Sequence, residues 1–139
     1  MEVFSLGETW VVDGLWEFTI TSATKHYACN HYNDHTGPVV AITYTYKNLG
    51  YQNYNGDGLL SIWGPDFEVY DKNGVTGDTY PCTHVYSHDA VRPGMTCNAG
   101  TGIAVSSEGG KITIIVSVDT RQCFPYSSYL HAKFEIDVS

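Results

Sequence analysis

Leu15-Trp16-Glu17-Phe18-Thr19-Ile20-Thr21-Ser22 puts Trp16, Phe18 and Ile20 at every second position, with Glu17, Thr19 and Thr21 between them. Successive side chains of a strand point to opposite faces, so a period of two marks a strand with one buried and one wet face. The pattern returns four times. Val40, Ile42, Tyr44 and Tyr46 interleave with Thr43, Thr45 and Lys47, and Phe67 and Val69 with Glu68 and Tyr70. Ile112, Ile114, Val116 and Val118 interleave with Thr113 and Ser117. Leu130, Ala132, Phe134, Ile136 and Val138 do so with His131, Lys133, Glu135 and Asp137. Weaker patterns over 9–13, 79–86 and 95–105 raise the expected count to seven or eight strands.

Turn chemistry separates these runs. Val12-Asp13-Gly14-Leu15, Asp71-Lys72-Asn73-Gly74, Arg92-Pro93-Gly94 and Glu108-Gly109-Gly110 carry the Gly and Asn that accept positive φ. Nowhere does a capped 3.6-residue period appear, so no substantial helix is expected. Eleven Tyr, fourteen Gly and only 16% charged residues suit strands and turns better than helix surfaces. The 139 residues fit one domain, 1–139, with a core of its own. There is no internal repeat, low-complexity tract or linker. The architecture expected is an all-β antiparallel sandwich, with the polar, Tyr-rich stretches 26–37 and 49–58 as its least ordered parts.

Several of these segments together carry a resemblance. Leu6-Gly7-Glu8-Thr9 leads through an Asp-Gly turn to Trp16-Glu17-Phe18-Thr19-Ile20-Thr21-Ser22; a strand then ends in Lys47-Asn48. Phe67-Glu68-Val69-Tyr70-Asp71-Lys72-Asn73-Gly74 and Arg92-Pro93-Gly94-Met95 follow. This order resembles the immunoglobulin-like domains of unknown function in secreted proteins and lipoproteins of Gram-positive bacteria, similar in fold to a small secreted mycobacterial antigen. The resemblance runs over nearly the whole chain and implies an immunoglobulin-like sandwich outside the cytoplasm. It brings no catalytic residues, and the four cysteines and the His-rich loop depart from its usual pattern.

Charge narrows the partners. Seven Lys and Arg against fifteen Asp and Glu give a net charge of -8, which disfavours nucleic acid and an anionic lipid surface. No apolar run approaches the ~20 residues that span a bilayer. Met1 precedes Glu2 and a strand-like segment, as in a mature secreted domain given a start codon for expression, and no export signal is read in the chain. Cys29, Cys82, Cys97 and Cys123 are even in number and lack a C-x-x-C spacing, which favours two disulfides and an oxidising, extracellular or cell-surface location. Four cysteines allow three connectivities. The pairing expected is Cys82 with Cys97, closing a loop of about 16 residues worth roughly 3 kcal/mol, and Cys29 with Cys123, brought to one end of the sandwich if their flanking strands run antiparallel.

Candidate chemistry is thin. His26, Cys29, His31 and His35, and again Cys82, His84 and His88, could be drawn as soft-metal ligands. Oxidised cysteine does not ligate zinc, so polar loop histidines are the preferred reading, with no metal or cofactor. Asp71, Asn73 and Asp78 lack the bidentate Glu of a calcium loop and read as a hairpin turn. Ser87, His88 and Asp89 are consecutive, and neighbours on an extended segment cannot form a relay. Asp13 with Glu17, and Glu135 with Asp137, fall on solvent faces of strands rather than across a cleft. The chain is therefore expected not to be an enzyme.

The aromatics offer the remaining sites. Tyr51, Tyr54 and Trp63 flank a Gly- and Asn-rich loop, and Tyr126 and Tyr129 flank another. Exposed rings there would stack on a glycan or grip a protein, although packing within a sandwich is the commoner use of Tyr. Trp10 and Trp16 are expected in the core. Two functions stand: an extracytoplasmic immunoglobulin-like module that contacts an envelope or host protein, and a carbohydrate-binding module using Tyr51, Tyr54 and Trp63. A His-rich metal-binding domain is a weaker form of the second.

Overall fold

The computed structural model describes residues 2–25, 37–52, 56–82, 87–107, 109–123, 125–126 and 128–139. Nine strands are formed among them: β1 (Val3–Phe4), β2 (Thr9–Val12), β3 (Trp16–Lys25), β4 (Val39–Asn48), β5 (Phe67–Tyr70), β6 (Thr76–Thr79), β7 (Thr96–Ala104), β8 (Lys111–Asp119) and β9 (Tyr129–Asp137). A short 3-10 turn, Gly64–Asp66, precedes β5. The strands follow the order β1-β9-β8-β5-β6-β7-β4-β3-β2. All neighbours are antiparallel except β1 and β9, which run parallel with Val3 opposite Lys133.

One strand joins the two layers. Gly77 and Thr76 of β6 face Val69 and Tyr70 of β5, while Asp78 and Thr79 face Ala104 and Ile103 of β7. The crossing is tight: a Cβ on Gly77 would lie 2.9 Å from both the Ala104 carbonyl oxygen and Ile103 Cγ2. At the far edge the chain itself passes from β1 to β2, and Gly7 N–H donates to the Ile20 carbonyl at 2.9 Å. There Ser139 also exchanges bonds with Ala23 and Lys25 of β3. The result is an all-β sandwich that is nearly closed.

Alternation explains the filling. Trp16, Phe18 and Ile20 of β3, Ile42, Tyr44 and Tyr46 of β4, Ile112, Ile114, Val116 and Val118 of β8, and Ala132, Phe134 and Ile136 of β9 are all buried. Phe18 is the hub, with ring centroids 5.5 Å from Tyr44, 6.1 Å from Phe67, 5.4 Å from Phe134 and 6.4 Å from Trp10. It thereby touches both layers. Trp10 and Trp16 meet edge to face at 5.2 Å inside the core, as expected. The alternation slips once. Between Ile20 and Ser22 a β-bulge sets Thr21 and Ser22 both against Thr43, whose hydroxyl they share, and Ala23 then takes the inward position.

Three sequence expectations need correction. Strand β6 lies upstream of the segment expected at 79–86, part of which falls outside the described residues. Strand β1 carries too few residues for a period to show. The disulfide pairs Cys82–Cys97 and Cys29–Cys123 do not exist: Cys97 and Cys123 are free, buried thiols. Cys97 points inward in the same row as Ala99 and Ile103 of β7, and Cys123 donates to the Gln52 carbonyl at 3.1 Å, with its thiol pKa raised by burial. Cys82 is disulfide-bonded; Cys29 lies outside the described residues. Alkylation of the unfolded, unreduced chain is therefore expected to label Cys97 and Cys123 and to spare Cys82. Labelling of Cys82 would overturn the assignment.

Candidate functional site

The end of the sandwich beyond β4 is built on three side chains of that strand. Tyr44 and Tyr46 point inward with rings 6.0 Å apart and nearly parallel. The Tyr44 hydroxyl donates to the Ile62 carbonyl at 2.6 Å, and the Tyr46 hydroxyl donates to the Asp89 carbonyl. Burial raises the pKa of both phenols well above the ordinary range, so they remain neutral donors. Asn48, fully buried, uses all four of its hydrogen-bonding positions. Its Nδ2 donates to the carbonyls of Gly58 (2.7 Å) and Val91 (2.8 Å), and its Oδ1 accepts from the N–H groups of Gly50 and Tyr51, both at 2.9 Å. The two tethered segments also pair with each other through Leu60 and Val91.

This scaffold presents an aromatic pair. Trp63 follows Ile62 and His88 precedes Asp89, the two residues whose carbonyls the tyrosines hold. Their rings stack at 4.9 Å with an interplanar angle of 26°. Trp63 is 46% exposed. Below it, Asp66 accepts the Trp63 N–H at 3.0 Å while its own N–H returns to the Trp63 carbonyl at 2.9 Å, closing the 3-10 turn. Burial raises the Asp66 pKa, and the Trp63 hydrogen bond and nearby His88 oppose that shift.

Beside His88 opens a notch of about 300 Å3 lined by Tyr80, Pro81, Cys82, Ser87, His88, Gly100, Thr101 and Gly102. A second cavity, of about 360 Å3, lies between Gly14, Gly50, Gln52, Cys123 and Tyr126.

The fold has solved counterparts. Among solved structures, MPT63, a secreted protein of Mycobacterium tuberculosis, matches with a TM-score of 0.66 and 11% identity, over 96% of this chain and 95% of its own. YcdA, a candidate lipoprotein of Bacillus subtilis, matches with a TM-score of 0.65 and 11% identity over 94% of this chain; the present chain spans 39% of YcdA. YjhA, also of B. subtilis, gives 0.58 and 14%, over 94% of this chain and 98% of its own. At such identities the likeness is one of fold. No protein-family model and no curated protein matches the chain.

The described aromatics expected as a rim differ in their surroundings. Tyr51 is half-buried: its ring lies 6.1 Å from Trp16 and its hydroxyl donates to the Asp119 carbonyl at 2.7 Å, with its pKa pushed up to about 12 by burial. It is a structural tether. Tyr54 lies outside the described residues. Tyr126 is half-buried and reaches the Asp13 carbonyl at 3.5 Å, whereas Tyr129 is 47% exposed beneath the Arg121 guanidinium. Trp63 is exposed and stacks on His88, which lines the notch. Its partner His88 carries no sequence signal for this pairing, because the contact is made through β4.

The other candidates resolve locally. Among the described residues no three His, Cys, Asp or Glu side chains gather as metal ligands; His26, Cys29, His31, His35 and His84 lie outside them. In the Ser87-His88-Asp89 run, the His88 ring packs on Trp63 and the Asp89 N–H donates to Cys97 Sγ at 3.4 Å. Asp71 is the hairpin residue of β5 and β6. Its carboxylate accepts the N–H groups of Asn73 and Val75 at 2.9 Å and the Ser107 hydroxyl at 3.0 Å.

Those donors, the Val75 N–H foremost, hold the Asp71 carboxyl below its ordinary pKa of 3.8. A depressed folded-state pKa contributes stability that is present above the unfolded value and lost as pH falls through the folded one. Melting temperatures of the native chain and Asp71→Asn should therefore differ most near neutrality and converge below about pH 4. A gap that is constant from neutral to acid pH would assign the effect to something other than the charge.

Proposed function

We propose that this chain is a non-enzymatic, extracytoplasmic immunoglobulin-like recognition module, one domain over residues 1–139, holding a partner at the cell envelope or in the secreted milieu. The observation that carries the reading is the Trp63–His88 pair: a large exposed ring fixed from beneath by two buried phenols. Fixing the ring in advance lowers the ordering cost of binding, and an exposed Trp at a concavity is the usual anchor of an interface. The location is supported by the disulfide at Cys82, which persists where the surroundings oxidise thiols. The fold shared with a secreted mycobacterial protein agrees with it.

The test quenches producing cells in acid and blocks free thiols before lysis. Cys82 is expected to be protected from the blocking reagent, and the chain to be digested by protease added to intact cells. An unprotected Cys82 in a chain reached only after lysis would end the proposal.

A further inference from the structure

We propose that the notch between Tyr80 and His88 is a binding site for an uncharged saccharide, with the indole of Trp63 as its stacking face. The inference rests on the recognition-module reading and names its ligand. His88 joins the notch to the indole, lining the one and stacking on the other. Gly64, next to Trp63, lies so close to β7 that an added Cβ would sit 3.0 Å from Thr101 Oγ1, and Thr101 and His88 both line the notch.

The floor is the edge of β7 where β6 has ended. Tyr80 N–H donates to the Gly102 carbonyl at 2.8 Å, so Gly102 turns its polar backbone away from β4. Gly100, two residues back on an unbroken ladder, turns its N–H and C=O the same way. At Gly102 the chain itself closes that edge, since a Cβ there would fall 2.4 Å from the Tyr80 carbonyl oxygen and 2.8 Å from Cys82 Cβ. The walls add the hydroxyls of Ser87 and Thr101, which both donate and accept.

These groups select the ligand. With about 300 Å3 the notch is at the small-molecule end of binding cavities, too small for a folded surface and suited to a sugar ring. Among the described residues its lining holds no Lys or Arg, and the chain carries a net charge of -8, which disfavours phosphate, sulfate and uronic acid groups. Hydroxyls meeting hydroxyls and backbone amides, beside a flat aromatic face for the C–H side of a pyranose, are the requirements of a neutral glycan.

The intact chain is titrated against soluble α-glucan, β-glucan, mannan and chitin oligomers, with polygalacturonate as the anionic control, while tryptophan emission and affinity-gel retardation are read. At least one uncharged glycan is expected to shift the emission. Trp63→Ala should weaken that glycan at least about tenfold, and His88→Ala should also weaken it, while Tyr129→Ala, at an exposed ring outside the notch, leaves it unchanged. Urea midpoints of the variants establish that each is folded. No response to any uncharged glycan, a response to the anionic polymer alone, or full affinity in folded Trp63→Ala each overturns the proposal. A protein partner on the same platform would give the first of these. If glycans fail while Cys82 is oxidised and the chain lies outside the cell, the saccharide assignment falls and the module reading stands.

Discussion

Asn48→Leu should lower the unfolding free energy by about 3–4 kcal/mol, read as a drop in the urea midpoint at unchanged slope. Leucine fills a similar volume but offers nothing to the Gly50 and Tyr51 N–H groups or to the Gly58 and Val91 carbonyls. Val91 keeps one partner, since its carbonyl also accepts the Leu60 N–H, so three groups are stranded. Each stranded group costs about 1–3 kcal/mol when buried, with partial relief as the loops admit water. The same variant should loosen the Trp63 platform, because Val91 and Leu60 link the two segments that carry it. A loss under about 1 kcal/mol would show that the loops are held by other means.

Phe18→Ala is the second large effect, about 3–5 kcal/mol. The reason is its place rather than its size alone. Its ring contacts Phe67 of β5 and Phe134 of β9 across the sandwich and Tyr44 of β4 within its own layer. Removing it opens a void at the junction of both layers, where closely packed neighbours relax only in part. Phe18→Leu retains much of the contact and should cost clearly less. Equal losses for the two variants would mean that aromatic geometry, not volume, governs the site.

The layers of this fold were legible because Trp16, Phe18 and Ile20, and their counterparts on β4, β8 and β9, obey a period that only a half-buried strand satisfies. The fold class rested on that period and on the turns. Strand β6 was not legible: Thr76-Gly77-Asp78-Thr79 has the composition of a turn, and it is extended because β5 and β7 leave it a narrow crossing. The cysteine pairing failed for a readable reason. Cys97 occupies an inward position of β7, in step with Ala99 and Ile103, and is a small apolar core residue. Trp63 was picked out from its loop, whereas Tyr51, named with it, is half-buried and its hydroxyl is engaged with the Asp119 carbonyl. Tyr44 and Tyr46 were read as core and nothing more. Their hydroxyls, reaching Ile62 and Asp89, are what bring residues 63 and 88 face to face.

The parallel pairing of β1 with β9 bears on how the molecule would answer mechanical load. Tension applied between the two ends of the chain pulls these neighbours along their length in opposite senses, so their few bonds must break together instead of opening one after another. Ser139, bonded to Ala23 and Lys25, adds a stitch on the same edge. Resistance to stretching is a property of the rate of unfolding rather than of its equilibrium, and in this fold it is concentrated where the first and last strands lie side by side.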